Sequence, residues 1–127
     1  MRREVILPAT RAAARRARAA LNEAIPPPEL ADRFDDARLA MTEIVANVLA
    51  HGHLADGAAI RLTIDADDEH VRVEVEQPTP ASGVHPIPAR IDVDHPGGYG
   101  LRLIEGFADA WGFEEGPPGH VWFEFRS

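Results

Sequence analysis

Two stretches of the chain alternate apolar and polar residues cleanly. Ala59-Ile-Arg-Leu-Thr-Ile-Asp65 sets Ile60, Leu62 and Ile64 on one face, and Val71-Arg-Val-Glu-Val-Glu76 does the same with Val71, Val73 and Val75. A period of two is that of a half-buried strand. The link Asp67-Asp68-Glu69 is short and acidic, which predicts an antiparallel hairpin. A different period governs Phe34 to His51, where Ala40, Met41, Ile44, Val45, Val48 and Leu49 recur at spacings of three and four. That is the stripe of a helix with one buried face. Asp35 and Asp36 suit its positive N-terminal end, and Gly52 is placed to end it.

The same reading extends along the rest of the chain. Val5-Ile6-Leu7, stopped by Pro8, predicts an edge strand, because proline has no N–H for a ladder. Thr10 is placed to cap a helix running to about Ala24, rich in alanine and arginine, and Ile25-Pro26-Pro27-Pro28 breaks it. Leu101, Ile104, Phe107 and Ala108 predict a second core helix over Leu101–Ala110. Trp111-Gly-Phe113 and His120–Phe125 read as a closing hairpin, turned at Glu115-Gly-Pro-Pro-Gly119. Between Gln77 and Gly97 there is no periodicity but there are five prolines, as in a functional lid or a disordered stretch.

The order is strand, helix, helix, strand, strand, lid, helix, strand, strand. Hairpins with intervening helices predict one mixed, mainly antiparallel sheet with the helices on one face, a two-layer α/β sandwich. At 127 residues the chain fits a single domain, residues 1–127. It has no window of eighteen or more apolar residues and no apolar signal core, so a cytoplasmic protein that does not enter the membrane is expected.

Composition removes several chemistries. The chain has no cysteine, which excludes disulfides, thiolate metal sites and a cysteine nucleophile. All thirteen basic side chains are arginine, so no lysine can serve a Walker-type phosphate loop. The net charge of −8 argues against direct nucleic-acid binding across the whole surface. Its distribution is uneven: Arg2, Arg3, Arg11, Arg15, Arg16 and Arg18 all fall in the first 18 residues. A basic helix on an acidic body suits docking to a protein partner, although it could equally cover a sheet edge or present a solvated arginine face.

Candidate chemistry lies on the Phe34–His51 helix. Glu43, Asn47 and His51 stand one turn apart, so a carboxylate, a carboxamide and an imidazole line up beside the core stripe. Such a row could hold a metal ion and activate a hydroxyl, or be three unrelated polar residues on a solvated face. Gly97-Gly-Tyr-Gly100 leads into a helix, where backbone N–H groups and the helix dipole favour an anion, although a tight turn alone would also select glycine.

In combination these features resemble, over nearly the whole chain, the small anti-sigma factor serine-protein kinases of the ATPase superfamily shared by gyrase, the heat-shock chaperone, histidine kinases and mismatch-repair proteins. Thr42-Glu-Ile-Val-Ala-Asn-Val-Leu-Ala-His-Gly52 is similar to the family's N box, Gly97–Ile104 to its second glycine box, and Gly119–Phe125 to its closing strand. The resemblance implies the Bergerat-type ATP-binding fold, with ATP and Mg²⁺ as cofactors. It implies Glu43 as general base, Asn47 as the Mg²⁺ ligand, and Gly98, Gly100 and the Leu101 backbone as the phosphate cradle. His51 would pack beside the nucleotide, and Arg102 would either contact phosphate or be a helix-surface arginine. A sigma factor and an antagonist protein would be the partners, and a homodimer is implied by the resemblance alone.

One position departs from the family's pattern. Gln77 stands where the family has the aspartate that accepts from the adenine amino group, and no glycine follows before Gly83. A glutamine carbonyl can accept that bond, but it is neutral, so adenine selection weakens. Glu76 is one residue out of register and belongs to the other sheet face. Two functions therefore stand side by side: an ATP-dependent serine/threonine-protein kinase that regulates a sigma factor, and a non-catalytic protein-binding module of the same fold.

Overall fold

A computed structural model describes residues 1–24, 28–51, 58–77, 104–114 and 119–126. Among the described residues five strands form one sheet: β1 (Arg2–Pro8), β2 (Ala59–Ala66), β3 (His70–Gln77), β4 (Ala110–Glu114) and β5 (Gly119–Arg126). Their spatial order is β1-β2-β3-β5-β4, and all four pairings are antiparallel. Two helices, α1 (Ala12–Asn22) and α2 (Ala31–His51), precede β2, and residues 104–107 add a helical turn ahead of β4.

The register explains why the helices cover only one face. Val5, Leu62, Val75, Val121 and Phe113 lie side by side across the five strands, and Ile64, Val73, Phe123 and Trp111 form the next row. Leu62, Ile64, Val73, Val75, Val121 and Phe123 in these rows are buried. Alternate positions carry Arg61, Glu76 and His120, or Asp65, Arg72 and Glu124, and form the opposite, polar face. The buried rows meet Phe34, Ala37, Met41, Val45 and Val48 of α2, Leu21 of α1, and Ile104 and Phe107. Phe125 sits edge-on to both Phe34 and Phe107, at ring-centroid distances of 6.3 and 5.7 Å. This aromatic contact puts α2 and the 104–107 turn on the same side of β5.

α1 uses alanine where a larger residue would hold it away. Ala13, Ala17, Ala20 and Leu21 are its buried residues, and it packs on α2 and β1. The Thr10 hydroxyl accepts a bond from the Ala12 N–H at 3.3 Å, although Arg11 occupies the cap position and the helix ends at Asn22.

Several boundaries differ from those the sequence pattern predicts. α2 starts at Ala31, after a 3₁₀ turn at Pro28–Leu30, so Asp32 is the first-turn acid while Asp35 pairs with Arg38. β1 begins at Arg2 because the ladder with β2 continues through Arg2–Asp65 and Arg3–Ile64. The helix expected through Ala110 ends at Phe107. The Asp109 N–H donates to the Glu124 carbonyl at 2.9 Å, and Ala110 already pairs across from Glu124 in β4. A sheet ladder here overrides the helix preference of alanine. Gly52 and the lid between Gln77 and Gly97 lie outside the described residues.

Candidate functional site

α2 carries Glu43 and Asn47, two of the candidate residues of the sequence. Ile44, Val45 and Val48 are buried against the sheet, which fixes the rotation of the helix. Glu43 and Asn47 then fall on the flank of the buried stripe, one turn apart, and both are half-buried. Neither is sealed in the core, so both can meet a ligand. Neighbouring Thr42 is engaged within the helix, its hydroxyl donating to the Arg38 carbonyl at 2.7 Å. Ala40, between Asp36 and Glu43 on the same side of the helix, is fully buried. The polar row thus runs along a boundary between core and solvent.

The rest of the predicted site is only partly visible. His51 is the last residue of α2 and Gln77 the last of β3, where Gln77 pairs with Gly119. The side chains of His51 and Gln77 lie outside the described residues, as do Gly98, Gly100, Leu101 and Arg102 altogether. Glu76 faces away from α2, as the alternation predicts: it sits across from Arg61 and His120 on the polar face, with Arg61 Nε at 3.5 Å.

A clasp that sequence reasoning missed ties the far end of α2 to the sheet. Asp109 Oδ2 accepts from Arg33 Nη1 at 2.9 Å and from the Arg126 N–H at 2.7 Å, while Arg33 Nη1 also donates to the Arg126 carbonyl. The Arg126 backbone bond is the largest influence and holds the Asp109 carboxyl below its usual range; desolvation opposes it, and the Arg33 guanidinium adds to the lowering. No spacing rule connects positions 33, 109 and 126, so the sequence offers no signal for it.

The polar sheet face was legible from the alternation, yet its pairs were not foreseen. His70 Nε2 lies 3.1 Å from Glu124 Oε2, and Arg72 stacks over the Trp122 ring at 4.3 Å. A half-open hollow on this face, lined by Ile6, Ala59, Arg61 and Glu76, lies across the sheet from Glu43 and Asn47. Among the described residues, no cluster of three or more histidine, aspartate or glutamate side chains could hold a metal ion, and no helix is long and apolar enough to cross a membrane.

The described residues thus give an open antiparallel sheet with helices on one face and a carboxylate-and-amide row on α2. The chain belongs to the histidine kinase-like ATPase domain family, whose model matches residues 7–122. Membership implies an ATP site. Among solved structures, the crystal structure of the RsbU and RsbW domains of Rv1364c from Mycobacterium tuberculosis is similar over 99% of this chain, at 22% identity and a TM-score of 0.69. At that identity the likeness shows the fold, and this chain spans 32% of the other's length. No curated protein matches the chain.

Proposed function

We propose that this chain is an anti-sigma regulatory factor with serine/threonine-protein kinase activity, which binds a sigma factor and phosphorylates an antagonist protein. The observation that carries the reading is the pairing of Glu43 and Asn47, one turn apart and part-exposed on an otherwise core-facing helix, in a histidine kinase-like ATPase domain. The RsbW domain in the similar crystal structure supports the anti-sigma side of it.

The residues present fit Mg²⁺ and ATP. Mg²⁺ is usually held by one or two protein oxygens together with substrate phosphates and water. A lone amide oxygen at Asn47 meets that need without a protein cage. Held there, the cation would supply positive charge to offset that of the phosphates. Asn47 would anchor the cation from the floor formed by α2. Glu43, one turn earlier, would take the proton from an incoming serine hydroxyl as that oxygen attacks the γ-phosphate, whose bond to the β,γ-bridging oxygen breaks to release ADP. Gly98, Gly100 and the Leu101 backbone would supply N–H groups to the phosphates, with Arg102 beside them and His51 packed against the nucleotide.

Gln77 favours the second reading, a protein-binding module of the same fold with weak or no ATP binding, because a neutral amide replaces the aspartate expected against adenine. The two readings separate in one assay. Purified protein, γ-labelled ATP, Mg²⁺ and an extract of the source cells are combined with wild type or Glu43→Ala. The kinase reading expects phosphoserine on an acceptor protein with wild type and none with the variant. Equal labelling by both would show that Glu43 is not the base.

A further inference from the structure

Eleven of the thirteen arginines lie among the described residues. Arg2, Arg3, Arg33, Arg38, Arg61, Arg72 and Arg126 each pair with a carboxylate of the same chain. The other four, Arg11, Arg15, Arg16 and Arg18, all belong to α1 or its cap, all are exposed, and none has an ion-pair partner among the described residues. The split follows the element and not the residue type. In a chain of net charge −8, carboxylates are abundant, yet none is placed along α1. Glu23, the nearest acid after the helix, is already taken by Arg3.

The four side chains are also ordered in space. Arg11, Arg15 and Arg18 follow the spacing i, i+4, i+7 and so form one stripe about 10 Å long, from a rise of about 1.5 Å per residue. Ala13, Ala17, Ala20 and Leu21 occupy the opposite side and are buried, so packing holds the stripe toward solvent. Arg16 flanks it. Like charges three and four apart weaken a helix, so the stripe does not serve the stability of α1.

We propose that this stripe is the docking surface for an acidic segment of a partner protein, with carboxylates spaced to meet Arg11, Arg15 and Arg18. Guanidinium forks pair with carboxylates in two-point geometry, and complementary charge sets encounter rate and register. Charge complementarity favours this occupant over the others. A membrane surface would need bulky apolar groups beside the arginines, but the large exposed apolar residues among those described, Met1, Ile6 and Leu39, are not on α1. A nucleic acid would meet the repulsion of the acidic remainder of the chain. The inference rests on the reading of the chain as a regulator that acts on proteins, and is independent of whether it binds ATP.

The test uses a fluorescein-labelled helical peptide with glutamates at i, i+4 and i+7, and a second peptide of the same composition with the glutamates spread around the helix. Anisotropy is measured with wild type, with Arg11→Ala/Arg15→Ala/Arg18→Ala, and with Arg61→Ala as a control on the sheet face. Circular dichroism establishes that each variant is folded. Wild type and Arg61→Ala bind the matched peptide, more tightly than the spread one and less so as salt rises. The triple variant binds it about tenfold more weakly, as expected for loss of two or three exposed pairs. Equal binding of the two peptides, no binding by wild type, or equal binding by the triple variant overturns the proposal. So does tighter binding of a single-stranded DNA oligomer or of phosphatidylserine vesicles. An ATP titration on the same proteins separates the two readings: a wild type that binds the matched peptide without binding ATP supports the docking surface and removes only the nucleotide reading.

Discussion

Arg33 and Asp109 are 76 positions apart in sequence, and their side chains meet at 2.9 Å. One belongs to the first turn of the helix that carries Glu43 and Asn47. The other follows the helical turn at residues 104–107, which the glycine-rich stretch precedes. The pair, closed by the Arg126 backbone, fixes these two parts of the chain against the end of β5.

Asp109→Ala should therefore lower stability. Both side chains are more than a third exposed, so the expected loss is about 1 kcal/mol, the upper part of the range for exposed pairs, with the backbone bond adding to the ion pair. Urea unfolding at neutral pH measures it. An unchanged midpoint would mean that the clasp is decorative.

The same carboxylate should shape the acid limb of stability. Its folded pKa is depressed from the ordinary 3.8, so in the window between the two values the unfolded chain binds more protons than the folded one. Its contribution is full above the ordinary value and is lost as pH falls through the folded one. Wild type should thus lose stability faster than Asp109→Ala as urea midpoints are taken from pH 5 to pH 3. Parallel curves would contradict this.

Gly112→Ala tests the polar sheet face. A Cβ at this position would lie 3.0 Å from Trp122 Nε1, and Arg72 covers the same indole at 4.3 Å. The ring must shift to admit the methyl group, and a cost of about 1 kcal/mol is expected from overpacking. A stability equal to wild type would show that the Arg72–Trp122 stack gives way freely.

Phe125→Ala tests the core. This residue is fully buried and contacts both Phe34 and Phe107 edge-on. Truncation should cost about 3–5 kcal/mol, a large share of the 5–15 kcal/mol typical of a domain. Thermal unfolding should show a strongly lowered midpoint or an unfolded chain; a small shift would mean that the neighbouring rings collapse into the space.

Much of this fold was legible where burial imposes a period. The alternation at Ile60, Leu62 and Ile64 and at Val71, Val73 and Val75 gave both strands and the face each buries. Met41, Val45 and Val48 gave the rotation of α2, and with it the flank on which Glu43 and Asn47 sit. Polar edge residues were less legible. Arg2 and Arg3 joined β1 because an edge strand can expose most of its side chains while its backbone stays paired. Ala13, Ala17 and Ala20 are as deeply buried as many large residues, since close approach of α1 to α2 leaves room for nothing bigger, and apolar size alone understated that face. The Arg33–Asp109–Arg126 clasp is a product of tertiary folding, with no local pattern to announce it.

The most direct test of the site is calorimetric titration of wild type and Asn47→Ala with ATP in the presence and absence of Mg²⁺. Wild type should give a saturable, Mg²⁺-dependent binding heat, and Asn47→Ala should give none while its circular dichroism shows it folded. Absence of heat with wild type, or equal heats from the two proteins, would contradict the assignment of Asn47 and α2 to a nucleotide site.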